Sequence, residues 1–343
     1  MKRVVPRRER GVALLAVLIL VAVTGAVAAA ALEKVRLSRL LAFNVIAVDQ
    51  ARLIAQGAEQ LALLIVEDMV TLDRTKTTLA GGWNGASRRI PMPTGGLVEV
   101  RLRDGGNCFN VNSVVSGDYR QGLARRPSGV NQFVALMVLT GVPPADAQRI
   151  AEAAADWTDS DIQVGPGGAE DGAYTTGAQP FRTGNNLFAD VSELRVLPGM
   201  TPQNYARIRP HVCSLPTSDL SPINVNTLLP HQAVLLAMMA PGRLTEATAQ
   251  RVLALRPATG WNNPIEFWRN EALSALGIPL DAQQQVQVRT DWFLLDISAV
   301  QGDSDFYETV LIDARLQPAK IAQRRWERDG ADAIPVSAGT AAR

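Results

Sequence analysis

The sequence predicts an α+β protein in which a long N-terminal helix leads into a small helix-and-sheet domain interrupted by a large all-α insertion. Three observations predict this. An uncharged run of 21 residues follows a basic N-terminus, strand-like segments flank a long helical stretch, and an Asn-containing motif occurs twice within that stretch. The expected units are a leader (1–11), the long helix (12–72), the split domain (73–105 and 290–318), the insertion (106–289) and a basic, frayed tail (319–343).

The N-terminal 32 residues predict a membrane anchor. Residues 1–11 carry five Lys or Arg and one Glu, and Val12–Leu32 carries no charge. As a helix rising about 1.5 Å per residue, the uncharged run spans about 30 Å, the thickness of a bilayer's hydrocarbon core. Because basic flanks stay in the cytoplasm, the remaining chain is expected across the membrane.

Three fates are open for this segment. It can remain as an uncleaved anchor, or it can be removed as a signal peptide near the small residues Ala26–Ala31. The third rests on Gly11, which separates the basic leader from the apolar run in an arrangement that resembles a type IV prepilin-like leader. That resemblance implies cleavage after Gly11 by a membrane peptidase, leaving Val12 as a methylated N-terminus. Most members of that family have Glu at the fifth mature position, where this chain has Ala16.

The helical pattern continues beyond the apolar run. Residues 33–69 contain no Pro and few Gly, and their apolar residues are spaced for an amphipathic helix. We therefore expect one helix from about residue 12 to 72, of which 12–32 spans the membrane and the second half packs on the split domain.

Strand patterns lie on both sides of the insertion. Leu97–Arg103 alternates apolar and charged residues, and Trp292–Val300 and Tyr307–Leu316 predict a hairpin around a turn at 301–306. No convincing strand pattern occurs between residues 106 and 289. The split domain is therefore expected to contain an antiparallel sheet, and the insertion to be helical.

A repeat divides the insertion. Cys108–Ser113 reads CFNVNS and Pro222–Thr227 reads PINVNT, and each is followed by a helical stretch, a Gly-containing turn and a second amphipathic helix. Asn, Ser and Thr at these positions are natural helix N-caps. The repeat predicts two small helical subdomains, 106–215 and 216–289, which resemble helix-hairpin-helix or SAM-like modules.

Helix-hairpin-helix modules often bind DNA phosphates, and phosphate binding requires compensating cations. Residues 106–288 contain 15 Asp or Glu, 12 Arg and no Lys, within a chain of net charge +1. This negative balance excludes a typical nucleic-acid-binding surface, so we expect no nucleic-acid partner.

An acidic, Gly-rich stretch at 156–171 predicts a cation site. It carries five carboxylates, and no Lys or Arg occurs between Arg149 and Arg182. Oxygen ligands in an irregular loop suit Ca²⁺. The stretch is not an EF-hand, because counting from Asp159 places Val164 at position 6, where that loop needs Gly. A solvated loop with acids facing water is the alternative, and the spacing does not separate the two. The carboxylates are Asp156, Asp159, Asp161, Glu170 and Asp171.

The chain contains two cysteines, Cys108 and Cys213. Outside the cytoplasm, they predict one disulfide, which would close a loop of about 105 residues and contribute about 4.7 kcal/mol by the chain-entropy estimate. The sequence contains no Gly-x-Ser-x-Gly elbow, P-loop or His-Glu-x-x-His motif. We therefore do not expect an enzyme.

Together these features resemble the minor pseudopilins of the type II secretion system known as the protein K family of the general secretion pathway. The segments that carry the resemblance follow the family's order over nearly the whole chain: Arg10–Ala16, Cys108–Asn112, Asp156–Asp161, Gly168–Asp171, Phe188–Met200, Val212–Cys213 and Ile223–Asn226.

The resemblance implies a pilin-like α/β domain interrupted by the helical insertion, with Ca²⁺ held by the acidic loop at Asp156, Asp159, Asp161, Glu170 and Asp171. It implies a protein of the bacterial inner membrane, with a single span and a periplasmic C-terminal domain, that caps the tip of a pseudopilus and helps start its assembly. The implied partners are other minor pseudopilins, the major pseudopilin, prepilin peptidase and the inner membrane, with exported substrates and the outer-membrane secretin as further contacts. The alternative is a monomeric, membrane-anchored periplasmic protein that binds calcium or a substrate.

Overall fold

The computed structural model describes residues 7–91, 96–118, 120–176, 180–301 and 304–326. In these residues the α-helices are α1 (Arg7–Leu72), α2 (Pro127–Leu139), α3 (Pro144–Thr158), α4 (Asp171–Tyr174), α5 (Pro202–Ile208), α6 (Val234–Ala237), α7 (Glu246–Ala254), α8 (Pro264–Trp268), α9 (Glu271–Ser274) and α10 (Leu280–Gln285). The strands are β1 (Ser87–Pro91), β2 (Leu97–Asp104), β3 (Phe109–Asn110), β4 (Val115–Asp118), β5 (Gly122–Arg125), β6 (Val212–Cys213), β7 (Ile223–Asn224), β8 (Val286–Gln287), β9 (Trp292–Gln301), β10 (Ser304–Asp313) and β11 (Lys320–Arg325).

The long helix α1 is continuous for 66 residues and begins five residues before the predicted start. Its N-terminal part exposes large apolar side chains, and in the described residues α1 alone is long and apolar enough to cross a membrane. Its second half buries a stripe of small and β-branched residues against the sheet: Ala51, Ala55, Ala62, Val66 and Val70. The spacings of four and seven place these residues on one helix face, so the mixed α+β class with a long N-terminal helix is confirmed.

Five antiparallel strands form the sheet in the order β1-β2-β9-β10-β11. In β9, Phe293, Leu295, Ile297 and Ala299 are buried against α1, while Trp292 packs with Leu215 and Leu311 in a separate cluster on the opposite face. This alternation is the period of two expected for a strand whose two faces both contact other elements.

The second strand of the hairpin begins and ends three residues earlier than predicted. The strand expected at 307–316 lies at Ser304–Asp313, so Ser304 and Asp305 extend the ladder that the sequence assigned to a turn. Ser and Asp are residue types common in turns, so the sequence did not indicate that the ladder continues there.

The expectation of a frayed tail after Pro318 is wrong for β11, which pairs with β10 and closes one edge of the sheet. Arg324 forms a bidentate ion pair with the buried Glu59 of α1, with N–O distances of 2.7 and 3.0 Å, and Arg325 pairs with Asp190. Because these acidic partners are remote in sequence, the basic composition of the tail alone did not indicate that part of it forms a strand. Residues 327–343 of the predicted tail lie outside the described residues.

The all-α expectation for the insertion also needs correction, because six short strands lie within it. The segments β3 and β6, and β7 and β8, form parallel pairs of two residues each, and β4 and β5 form a hairpin. Strands this short carry too few residues for an alternating pattern. The larger hydrophobic core of the protein nevertheless lies within the insertion and is built largely by its helices.

The repeated Asn motif has the same structural role in both halves of the insertion. Asn112 donates to the carbonyls of Phe188 and Leu215, and Asn226 donates to those of Trp261 and Val288. Each second Asn of the motif therefore clamps two remote backbone segments of its own half of the insertion. Buried amides are stable only when paired in this way, which explains why two polar residues recur in a core.

The insertion leaves the sheet after β2 and returns before β9, and these two strands are neighbours. At this junction, the buried carboxylate of Asp104 accepts hydrogen bonds from the backbone of Gly106 and Asn107 and from the hydroxyls of Thr227 and Thr290. Burial raises the pKa of Asp104, and these four donors oppose that rise. They join the start of the insertion, its second half and the returning chain at one point.

The predicted disulfide is confirmed. Cys108 and Cys213 are bonded, with Cα atoms 5.8 Å apart, and they join the start of the insertion to β6 105 residues later. The loop it closes contains α2, α3, the acidic loop and α5.

Candidate metal centre

Three of the five predicted carboxylates converge at the C-terminal end of α3. Asp159, Asp161 and Glu170 each place an oxygen so that all three atoms lie within 4.8 Å of one another. Asp159 and Glu170 are 4% and 5% exposed, and Asp161 faces solvent. We call these three residues the carboxylate cluster.

Asp156 has a different position, inside the loop that carries the cluster. The backbone N–H of Gly165 donates to its Oδ2 at 3.0 Å, and a Cβ atom on Gly168 would overlap the same oxygen. The chain can wrap so closely around a carboxylate only where it lacks side chains, so Asp156 organises the fold of the loop.

Asp171 also lies apart from the cluster, at the first position of α4. It accepts hydrogen bonds from the backbone N–H and the hydroxyl of Thr183, both at 2.9 Å, and it lies 3.8 Å from Arg182. The hydrogen bonds from Thr183 lower the pKa of Asp171. Asp171 is thus already paired within the protein.

The cluster has an excess of buried negative charge. Burial, followed by the neighbouring charges of Asp161, Asp156 and Glu170, raises the pKa of Asp159 to about 7. Burial also raises the pKa of Glu170 and of Asp156. Such shifts are expected where carboxylates leave water and lie beside like charges without a cation.

Two buried carboxylate oxygens of the cluster, Asp159 Oδ1 and Glu170 Oε1, accept no hydrogen bond from the described residues. A buried acceptor without a donor is costly, and a cation satisfies several such oxygens at once. The donor set consists of oxygen atoms only, which suits Ca²⁺ and does not suit metals that prefer nitrogen or sulfur. The residues present therefore fit the calcium ion that the sequence predicted.

Aromatic packing holds the end of α3 in place. The indole of Trp157 contacts Tyr174, Phe181 and Phe188, with ring centroids 5.4, 6.1 and 6.3 Å apart. Ser160 accepts a hydrogen bond from the backbone N–H of Leu123 in β5, at 2.8 Å. The cluster is thus built on a rigid support, as preorganised ligand sites require.

Sequence reasoning missed the residues that shape the loop but carry no charge. Thr183 donates to both Glu170 and Asp171, and Gly165 and Gly168 enclose Asp156. The glycines were visible as a Gly-rich stretch, whereas Thr183 lies outside the acidic segment and had no signal. The predicted cleavage residues, Gly11 and Val12, lie within α1, and Val12 is exposed; residues 1–6 of the predicted leader are outside the described residues.

Replacing Gly168 with Ala should displace the loop from Asp156. Because the new methyl group would overlap the Asp156 carboxylate, we expect a loss of about 1–3 kcal/mol in the free energy of unfolding. Urea unfolding of the detergent-solubilised chain measures it. Gly172→Ala is the matched control, since its Cβ would meet no atom within 4 Å. Equal stability of the two variants would contradict the proposed role of Gly168.

Known protein families match each half of the insertion separately. Two family models, both described as type II secretion system (T2SS) protein K, match residues 107–217 and 223–289. Type II secretion system protein K of Klebsiella pneumoniae is 33% identical over 93% of this chain and 97% of that protein. The protein of the same name from Pectobacterium carotovorum subsp. carotovorum is 31% identical, with the same coverage.

A solved structure is similar over most of the fold. It is the crystal structure of the GspK-GspI-GspJ complex from the enterotoxigenic Escherichia coli type 2 secretion system. The matched chain superposes with a TM-score of 0.70 at 29% sequence identity, covering 81% of this chain and 96% of that chain.

Proposed function

Because the chain belongs to the type II secretion system protein K family and is a minor pseudopilin, we propose that it caps the tip of the periplasmic pseudopilus. In this role it helps start assembly of the filament that exports proteins across the outer membrane. The role is structural and involves no catalysis.

The observation that carries this proposal is the size of the insertion relative to the sheet it interrupts. Residues 105–291 lie between two neighbouring strands of one five-stranded sheet. A filament grows by packing apolar helices side by side, and a head enlarged in this way would clash with its neighbours in a repeating lattice. At the end of the filament there is room for it.

Ala16 supports the same position. In the pilin-like family, Glu at the fifth mature position pairs with a neighbour's N-terminal amine. A subunit at the tip has no subunit above it to supply that amine. An unpaired carboxylate within the membrane would be costly, so Ala is the appropriate residue for a first subunit.

The exposed apolar face of α1 supports helix-to-helix contacts with other pseudopilins. Leu37, Leu40 and Leu41, which share one helix face, are 56%, 51% and 59% exposed, although they lie beyond the uncharged membrane segment. The similar solved chain is in a complex with GspI and GspJ. We therefore propose two other minor pseudopilins as direct partners, and the major pseudopilin, exported substrates and the secretin as later contacts.

The finer architecture of the insertion is part of this proposal. We assign residues 106–215 and 216–289 to two helix-hairpin-helix subdomains. The division is supported by the equivalent closing pairs, β3 with β6 and β7 with β8. These subdomains serve as a packing scaffold at the tip.

Labelling isolated pseudopili with an antibody against the periplasmic domain should mark one end of each filament in electron micrographs. A tip subunit is present once per filament, which is why a single end should be labelled. Because this chain is proposed to help start assembly, filaments should also be absent from cells that lack it. An antibody against the major pseudopilin is the control and should mark the whole length. Labels along the filament, normal filaments without the chain, or a chain that purifies alone as a monomer would each contradict the proposal.

We also propose that prepilin peptidase cleaves the chain after Gly11 and that α1 then anchors the mature protein in the inner membrane. Val12–Leu32 is continuous in one helix with residues 51–70, which pack on the sheet, so removal near residue 30 would cut through this helix; its continuity supports retention. Cleavage at the cytoplasmic side would leave the whole membrane segment in the mature chain.

Mass spectrometry of the purified protein should find a mature N-terminus at methylated Val12. Gly11→Leu should leave the leader attached, because the peptidase requires the small residue, whereas Gly25→Ala in the same helix should be processed normally. An N-terminus near residue 30 would instead indicate a signal peptide, and Met1 an uncleaved anchor.

The carboxylate cluster is proposed as a calcium site. Asp159, Asp161 and Glu170 would ligate the ion, while Asp156 and Asp171 position the loop around it. Bound Ca²⁺ supplies positive charge to the cluster. The unpaired buried oxygens of Asp159 and Glu170 support this assignment.

Asp159→Asn should weaken Ca²⁺ binding by at least about tenfold, since changing even an outer ligand of a metal site has that effect. Calorimetry on the full chain in detergent measures the affinity. Addition of Ca²⁺ should raise the melting temperature of the wild-type chain more than that of the variant. Asp146→Asn, an acid of α3 outside the cluster, is the control. Unchanged affinity in Asp159→Asn would overturn the assignment of this ligand.

A further inference from the structure

A neutral segment, Thr183–Asn185, contacts the carboxylate cluster or its aromatic support at three consecutive residues. The hydroxyl of Thr183 donates to Glu170 at 3.2 Å and to Asp171 at 2.9 Å. A Cβ atom on Gly184 would lie 3.1 Å from the indole nitrogen of Trp157, so the backbone there packs closely on the aromatic support. The amide nitrogen of Asn185 lies 3.4 Å from the backbone carbonyl oxygen of Asp161.

Asn185 has two unusual features. Its φ is +42°, and it alone among the described residues other than glycine has a positive φ. Its side-chain oxygen Oδ1 is buried and accepts no hydrogen bond from the described residues. Asn tolerates the left-handed conformation better than most residues. Because Oδ1 accepts no hydrogen bond from the described residues, such a bond does not explain why the conformation is kept here.

We infer that Asn185 is a further ligand of the cation site and provides its side-chain oxygen Oδ1 to the ion held by Asp159, Asp161 and Glu170. This rests on the proposed calcium site. The contact between Nδ2 and the backbone carbonyl of Asp161 places the Asn185 amide beside a member of the cluster.

The chemistry of the cluster favours a neutral ligand at this position. Calcium takes six to eight oxygen ligands and accepts amide oxygens of Asn as well as carboxylates. A fourth carboxylate would add repulsion to a cluster in which burial and like charges already oppose ionisation, whereas an amide oxygen adds a ligand without adding charge. Asn185 also connects the site to a segment 15 residues beyond Glu170, so the ion would join α3, the acidic loop and the chain after α4.

Asn185→Gly tests the inference in the full chain in detergent, because Gly keeps the left-handed backbone and removes the oxygen. We expect Ca²⁺ affinity, measured by calorimetry, to fall at least about tenfold. With Tb³⁺ as a luminescent substitute excited through Trp157, lifetimes in H₂O and D₂O should show an additional water on the ion. Asn186→Gly, at the exposed neighbouring residue, should bind both ions as the wild type does.

Asn185→Asp is the second variant and keeps an oxygen at the same position. It should bind Ca²⁺ more tightly than Asn185→Gly does, so binding as weak as that of Asn185→Gly would contradict direct ligation. If the wild type binds Ca²⁺ and Asn185→Gly binds it with equal affinity and equal hydration, Asn185 is not a ligand and the calcium site stands without it. If the wild type binds neither ion, the calcium proposal itself fails and this inference with it.

Discussion

The buried carboxylate of Asp104 is the interaction on which the architecture depends most. A sheet tolerates a long insertion between neighbouring strands only if the departing and returning chains are held together, because otherwise the insertion would separate them. Asp104 meets this requirement because its carboxylate accepts hydrogen bonds from four donors in three separate segments. An isolated buried charge would be strongly destabilising, and a charge that accepts four hydrogen bonds fixes the junction instead. The enlarged head can therefore act as one body with α1 and the sheet.

The same solution recurs inside the insertion, where buried polar groups specify the path of the chain. The Asn residues of the repeat hold remote backbone segments, and the disulfide closes the first half beside them. Short helices such as α6 and α9, of four residues each, are too short to be stable alone. A domain built from them needs cross-links that are remote in sequence. The Asn clamps, the disulfide and the proposed calcium ion would all serve this purpose, and the last two both act on the first half.

The sequence predicted the elements that have long periodic patterns and failed where the determining contact is remote. The spacing of apolar residues along α1, the alternation in β2 and the hairpin pattern that includes β9 were sufficient to identify those elements. Strand β11 was missed because its order depends on Glu59 and Asp190, which lie 265 and 135 residues away. At the metal centre, the acidic residues were found by charge alone, but their separate positions were not, since Asp156 and Asp171 are indistinguishable from Asp159 without the loop's geometry. Thr183 and Asn185 carry no charge and follow the acidic segment, so no pattern in the sequence connected them with it.

The proposed position at the tip has a physical consequence for the stability of the head. In a lattice, each head is supported on several sides, whereas the head at the tip is covered on one side only. Its stability must then come from within the chain. In the acidic loop like charges repel one another, and burial together with these charges raises the pKa of Asp159 to about 7. A bound divalent ion would turn that repulsion into cross-linking between the end of α3 and the acidic loop. The proposed calcium site would thus give the proposed cap an internal cross-link of a kind that a subunit within the lattice can obtain from its neighbours.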